Sequence, residues 1–201
     1  MAIILIKANF IQNESIQKFI KEKNIMRYVI ACVIKGEAGE FNNNLRKELF
    51  EKFKAKSSKL PAHFTLKAPF EYEGEIIELV DVLEEFSKAA KAEVFTIDGY
   101  DHFDDRVIYM KVNMSKEAKA VHDKLIDNMN KISYIDFDKK DGKDKVFHIT
   151  LASKRLKPLY TKVWEHVHQY PCKFQGLFDN VTVYRWEEET WKLYREFKFE
   201  Q

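Results

Sequence analysis

Cysteine is scarce: the 201-residue chain has two, Cys32 and Cys172. They lie far apart in sequence and in apolar surroundings, so two buried free thiols are expected rather than a disulfide. No Cys-x-x-Cys pair suggests a bound metal. No charge of one sign dominates either. The 34 basic and 32 acidic residues leave a formal net charge of +2, which argues against a generally basic nucleic-acid-binding surface and makes any phosphate recognition local. Long apolar runs are missing too. The first, Met1 to Ile6, stops at Lys7, too short for a signal-peptide core or a membrane span. The expectation is a soluble, cytoplasmic protein with no membrane partner. A Gly-rich phosphate loop is also lacking, which removes the commonest nucleotide-binding device.

What is present is ample core material. Hydrophobic residues make up 45% of the chain and aromatic residues 14%, enough for one domain or for two small lobes sharing a cleft. Residues 1–25 read as an N-terminal extension of uncertain role, with a short strand near Ile3–Ile6 and a helix from Ser15 to about Lys23. A fresh strand begins at Met26 and opens a domain over 26–201. Helices are expected over 45–57 (capped by Asn44), 75–90, 116–131 (capped by Ser115) and 158–169 (Pro158 in its first turn). Strands are expected at 26–34, from His63 to near Pro69, and at 93–100, 106–113, 145–152, 172–178, 180–186 and 191–199. The polar segment Asp136 to Lys145 reads as a flexible loop, with a lid flanking a groove as the alternative. His102, His122 and the pair His166 and His168 read as solvated surface residues. The order is weakly duplicated: a helix and strands follow each of two similar tetrapeptides, with Val94–Ile97 and Cys172–Gln175 at comparable distances.

Those tetrapeptides are the strongest signal. His63-Phe64-Thr65-Leu66 returns as His148-Ile149-Thr150-Leu151. By chance, two such hits among six histidines come to roughly 1 in 2,000 at ordinary residue usage. In a strand, alternate side chains share a face. His63 and Thr65 therefore stand together, as do His148 and Thr150, while Phe64, Leu66, Ile149 and Leu151 turn toward the core. Two facing halves would set the two His-x-Thr strands on opposite walls of one groove. One neutral imidazole can take a proton and one charged imidazole can give one. The threonine hydroxyls can donate to non-bridging oxygens between them. The substrate that fits is a phosphodiester, and the chemistry needs no metal.

The two tetrapeptides resemble the paired signatures of the 2H phosphoesterase superfamily, which includes the bacterial 2′-5′ RNA ligase-like proteins and RNA 2′,3′-cyclic phosphodiesterases. The resemblance covers about residues 26–201. It implies an α+β fold, bilobal and pseudo-twofold, with two antiparallel sheets around a central groove. It also implies a cofactor-free phosphoric diester hydrolase acting as a monomer on an RNA end, a short oligonucleotide or a cyclic nucleotide, with His63, Thr65, His148 and Thr150 catalytic. Arg106 and the Tyr184-Arg185 pair resemble substrate-binding positions: either arginine can neutralise a phosphate and Tyr184 can stack a base. Two other functions use the same groove. One is RNA or nucleotide binding without turnover. The other is 2′-5′ RNA ligation, the reverse of the same chemistry.

Overall fold

The computed structural model describes residues 25–200. The expected 1–25 extension therefore lies outside the described residues, apart from Ile25. Eight strands and four α-helices follow in order: β1 (Ile25–Val33), α1 (Gly36–Phe53), β2 (His63–Glu73), α2 (Ile77–Ala89), β3 (Glu93–Phe103), β4 (Val107–Met114), α3 (Lys116–Met129), β5 (His148–Ala152), α4 (Tyr160–Val167), β6 (Lys173–Phe178), β7 (Asn180–Glu187) and β8 (Thr190–Lys198). A 3₁₀ turn over Lys157–Leu159 leads into α4 and holds Pro158 in its first turns, where a missing N–H costs nothing. Among the described residues no helix is long and apolar enough to cross a membrane.

The strands form two four-stranded sheets, β2-β1-β7-β8 and β5-β4-β3-β6, antiparallel throughout. The expected α+β architecture is the one found. Each sheet carries one His-x-Thr strand at its edge, β2 in the first and β5 in the second. The duplicated unit is strand, helix, motif strand, helix: β1-α1-β2-α2 and β4-α3-β5-α4. The similar segments Val94–Ile97 and Cys172–Gln175 are not counterparts. The first lies in β3, and Lys173–Gln175 of the second lies in β6, its neighbour in the same sheet.

Several local expectations shift. Helix α1 begins nine residues before the expected start, so Asn44 lies inside it rather than capping it. Ser115 does cap α3, its hydroxyl accepting from the Ala118 N–H at 2.9 Å. Strand β2 runs past Pro69 to Glu73. A proline removes a ladder donor, yet β2 is an edge strand, and the β1–β2 register skips in this region, so nothing is lost there. Gly176 in β6 lies against the Phe95 ring, and a Cβ there would come within 2.3 Å of it.

One apolar cluster spans both sheets. Phe64, wholly buried, sits at its centre with edge-to-face contacts to Phe95, Phe147 and Phe178 at centroid distances of 5.6–5.7 Å. Phe64 belongs to the first sheet, and Phe95 and Phe178 belong to the second. The apolar face of the first motif strand is thus what joins the lobes, while His63 and Thr65 lie on its other face. Cys32 and Cys172 are buried free thiols.

Candidate active site

The alternation of β2 and β5 puts the polar motif residues on one face of each strand. In β2, Phe64 and Leu66 are wholly buried, while Thr65 is half-buried and His63 8% exposed. In β5, Ile149 and Leu151 are buried, while His148 and Thr150 are half-buried. The two imidazoles are held in the same way. His63 Nδ1 lies 2.7 Å from the Pro61 carbonyl, and His148 Nδ1 lies 2.9 Å from the Val146 carbonyl. A carbonyl only accepts, so Nδ1 carries the proton in both rings and Nε2 keeps its lone pair. Each carbonyl comes from two residues before its histidine, so the duplication extends beyond the tetrapeptide itself.

Strands β2 and β5 belong to different sheets but run beside one another. Burial pushes the His63 imidazole down to about 4, helped by the positive charges of Arg46 and Lys145 and by His148 itself. Burial likewise lowers His148, with Lys145 adding to the effect. Both shifts favour the neutral ring.

Three supporting groups escape the sequence reading. Two are consecutive asparagines of α1. Asn42 Nδ2 reaches the Thr150 carbonyl at 3.4 Å, and Asn43 Oδ1 accepts from the Ala62 N–H at 3.1 Å. One helix thereby holds both motif strands at adjacent residues. The third is the loop before β5, which is docked rather than loose. Asp141 is 1% exposed. Its carboxylate accepts from Lys67 Nζ at 2.6 Å and from the Ala68 N–H at 2.8 Å. Its other oxygen accepts from the Asp138 N–H at 2.9 Å. Lys145, expected in the strand, precedes it and is buried, and its ammonium donates to the Thr65 carbonyl. Burial brings it down to about 8. The loop thus ties the second motif to the backbone of the first.

The flanking positions divide. Arg106 lines a cavity of about 580 Å³ together with His148, Phe103 and Lys139. It is exposed and paired with Asp104 at 2.9 Å. Phe103 and Tyr109 each pack on the His148 ring at 5.1 Å. Tyr184 shares the face of Thr65, since Val29 pairs with Tyr184 and Ala31 with Thr65. It is 8% exposed and packed against Val29 and Leu60, which leaves no open ring for a base. Arg185 is not brought to the site. It pairs in register with Tyr28, on the opposite face of the sheet, where it meets Glu187 and the Tyr194 ring. One step along a strand reverses the face.

The other histidines also differ from expectation. His122 is fully buried against Phe147, and His166 is buried with Nε2 2.9 Å from Glu48. His102 and His168 are exposed, as expected.

Comparison with known proteins adds the lineage. Over 180 residues the chain is 25% identical to the candidate phosphoesterase GWCH70_0799 of Geobacillus sp. (strain WCH70), covering 86% of this chain and 95% of that protein. Among solved structures it superimposes on TT0787 of Thermus thermophilus with a TM-score of 0.58 at 16% identity, covering 87% and 98% of the two chains. Escherichia coli LigT superimposes with a TM-score of 0.57 at 15% identity, covering 88% and 99%. LigT has also been crystallised with 3′-AMP, with ATP and with phosphate. The family model described as the 2′-5′ RNA ligase superfamily matches residues 38–190, a span that contains both His-x-Thr strands, the asparagine pair and the docked loop; the chain therefore belongs to the 2′-5′ RNA ligase superfamily, the 2H phosphoesterases.

Proposed function

We propose that this protein is a metal-independent phosphodiesterase that opens a 2′,3′-cyclic or 2′-5′ phosphodiester at an RNA end or in a nucleotide. The observation that carries the reading is the matched pair His63 and His148, each with Nδ1 committed to the carbonyl two residues earlier. Each is followed two residues on by a threonine of the same face. A substrate phosphate lies between the Nε2 atoms. One neutral imidazole takes a proton from water as the new P–O bond forms. The other, protonated, gives its proton to the ribose oxygen as the old P–O bond breaks. Thr65 and Thr150 donate to the non-bridging oxygens, where charge develops.

The lowered affinity of both rings for protons fits this sequence of events. A bound phosphate is an anion, and an anion beside an imidazole favours its charged form. The substrate thereby helps to arm its own general acid. The nearby cavity beside His148, walled by Phe103 and Arg106, suits the nucleoside that follows the phosphate. The ligands crystallised with LigT, 3′-AMP and phosphate among them, are of the same chemical class.

The test is the turnover of a 2′,3′-cyclic mononucleotide in EDTA by His63→Ala and His148→Ala, followed by phosphorus NMR. Each variant loses about 10²- to 10⁴-fold in kcat, and EDTA changes nothing. Full activity in either variant, or a requirement for a divalent ion, overturns the mechanism. Salt-sensitive RNA binding without any product would assign the groove to binding alone.

A further inference from the structure

A second concave surface lies just before the start of β2 and just after the end of β5. It is a groove of about 470 Å³ lined by Arg46, Lys47, Lys56, Lys59 and Lys154 around the ring of Phe50, with no carboxylate in its walls among the described residues. In a chain whose 34 basic and 32 acidic residues nearly cancel, such segregation marks a local preference for anions. Arg46 is committed to structure: its guanidinium holds the loop through Ser57 Oγ at 2.6 Å and the Leu60 carbonyl at 2.9 Å, and it also reaches the Ser58 carbonyl. The four lysines carry the remaining charge, and Lys59 also donates to the Glu189 carbonyl. Among the described residues only Lys47 has a carboxylate partner, Glu51 at 3.9 Å.

Aromatic faces alternate with these cations. Phe50 is 44% exposed, with Lys56 Nζ 5.7 Å from its centroid. Lys59 Nζ lies 5.8 Å from the Trp186 ring, which stands outside the groove's lining. Cations that track a backbone, interleaved with rings that accept bases, are what a single strand of nucleic acid requires.

The groove is also joined to the candidate active site. The Lys56 carbonyl accepts from Ser153 and Lys154 N–H at 2.8 and 2.9 Å, stitching the segment before β2 to the segment after β5. A chain extends at most about 3.6 Å per residue, so Leu60 lies within about 11 Å of His63 and Lys154 within about 14 Å of Thr150.

Resting on the phosphodiesterase reading, we infer that this groove is a strand-binding subsite, taking the phosphodiester backbone of a single-stranded RNA whose reacting end lies at His63 and His148. The preferred substrate is then an oligonucleotide end rather than a free cyclic mononucleotide.

Two measurements on the full chain test this. In the first, a fluorescein-labelled RNA of about eight nucleotides with an unreactive 3′-phosphate is titrated by anisotropy. Three to four phosphates neutralised on a single strand predict affinity falling roughly 20- to 50-fold between about 50 and 200 mM salt. The double reversal Lys56→Glu, Lys154→Glu removes two of those contacts and lowers the logarithmic salt slope by about 1.4. Reversal of Lys124 and Lys131, which line a different cavity, leaves the slope unchanged. In the second, kcat/KM is compared for the same strand ending in a 2′,3′-cyclic phosphate and for the cyclic mononucleotide. The strand is favoured at least tenfold, and the reversal reduces that ratio to near one. Lys56→Gln, Lys154→Gln, a gentler pair, checks that folding is not the cause.

A salt-insensitive affinity, or an unchanged ratio in the reversed protein, overturns the subsite. The two readings fail separately. Binding that is salt-sensitive and lost on reversal, with no turnover of any cyclic phosphate, keeps the subsite and removes the reaction. Turnover of the mononucleotide with no advantage for the strand does the opposite.

Discussion

Replacing Asp141 with alanine isolates the device that docks the loop before β5. Its carboxylate is 1% exposed and accepts from Lys67 Nζ, from the Ala68 N–H and from the Asp138 N–H. Removing it strands the Lys67 ammonium, itself 7% exposed, and orphans two amides. Deleting one partner of a buried ion pair costs about 3–5 kcal/mol. For a chain of this size each kcal/mol lowers the melting temperature by about 2–4 °C, so Asp141→Ala melts about 6–20 °C below wild type. The double variant Lys67→Met, Asp141→Ala carries no stranded charge and recovers part of that loss.

The dependence on pH follows from the direction of the Asp141 shift. Lys67 and the two amides hold the folded carboxyl below its usual range, against the opposing effect of burial. Its stabilisation is therefore fully present above the unfolded value of about 3.9 and is lost as pH falls through the lower folded value. The gap in melting temperature between wild type and Asp141→Ala stays constant from about pH 5 upward and closes in acid. Thermal and urea unfolding followed by circular dichroism measure both effects. A loss below about 1 kcal/mol, or a double variant no more stable than the single one, refutes the reasoning.

Two further outcomes follow from the same geometry. Because both histidines are depressed in the free protein, His63 to about 4, the state with one ring charged is most populated in mild acid. kcat/KM for a cyclic phosphate therefore falls roughly tenfold per pH unit above the His148 value, while kcat peaks at higher pH because bound phosphate favours imidazolium; a kcat/KM that rises between about pH 7 and 8.5 contradicts this. Phe64→Ala empties the contact between the sheets and costs about 3–5 kcal/mol, read by urea unfolding, and a cost near 1 kcal/mol would show that the cluster collapses to fill the gap.

The site is legible in the sequence where strand periodicity alone decides the outcome. A His-x-Thr spacing in a strand fixes a shared face regardless of the fold, and the buried Phe64, Leu66, Ile149 and Leu151 bear that out. Arg185 defeats the sequence reading for the same physical reason. It differs from Tyr184 by one position, and only the pairing of β7 with β1 tells which of the two shares the histidine face. The asparagines of α1 are illegible because a run of Asn reads as a cap or a break in a helix; their use appears only when Thr150 and Ala62 are seen beside them. The docked loop is hidden by its composition. Between Asp136 and Lys145 nearly every residue is polar, and nothing local distinguishes Asp141, which finds a buried lysine 74 residues away, from its solvated neighbours. His122 and His166 are misplaced by the sequence because burial of a lone histidine depends on tertiary neighbours that no spacing reveals.

In the proposed mechanism His63 and His148 grip one phosphate together. Long-range proton–nitrogen NMR of the imidazole rings, recorded while inorganic phosphate or a nucleoside monophosphate is added, tests it directly. The expected result is that both Nε2 resonances shift with a single shared Kd, that both Nδ1 signals remain those of protonated nitrogens, and that the pKa of at least one ring rises on saturation. A shift confined to one histidine, or two shifts with different Kd values, would contradict it.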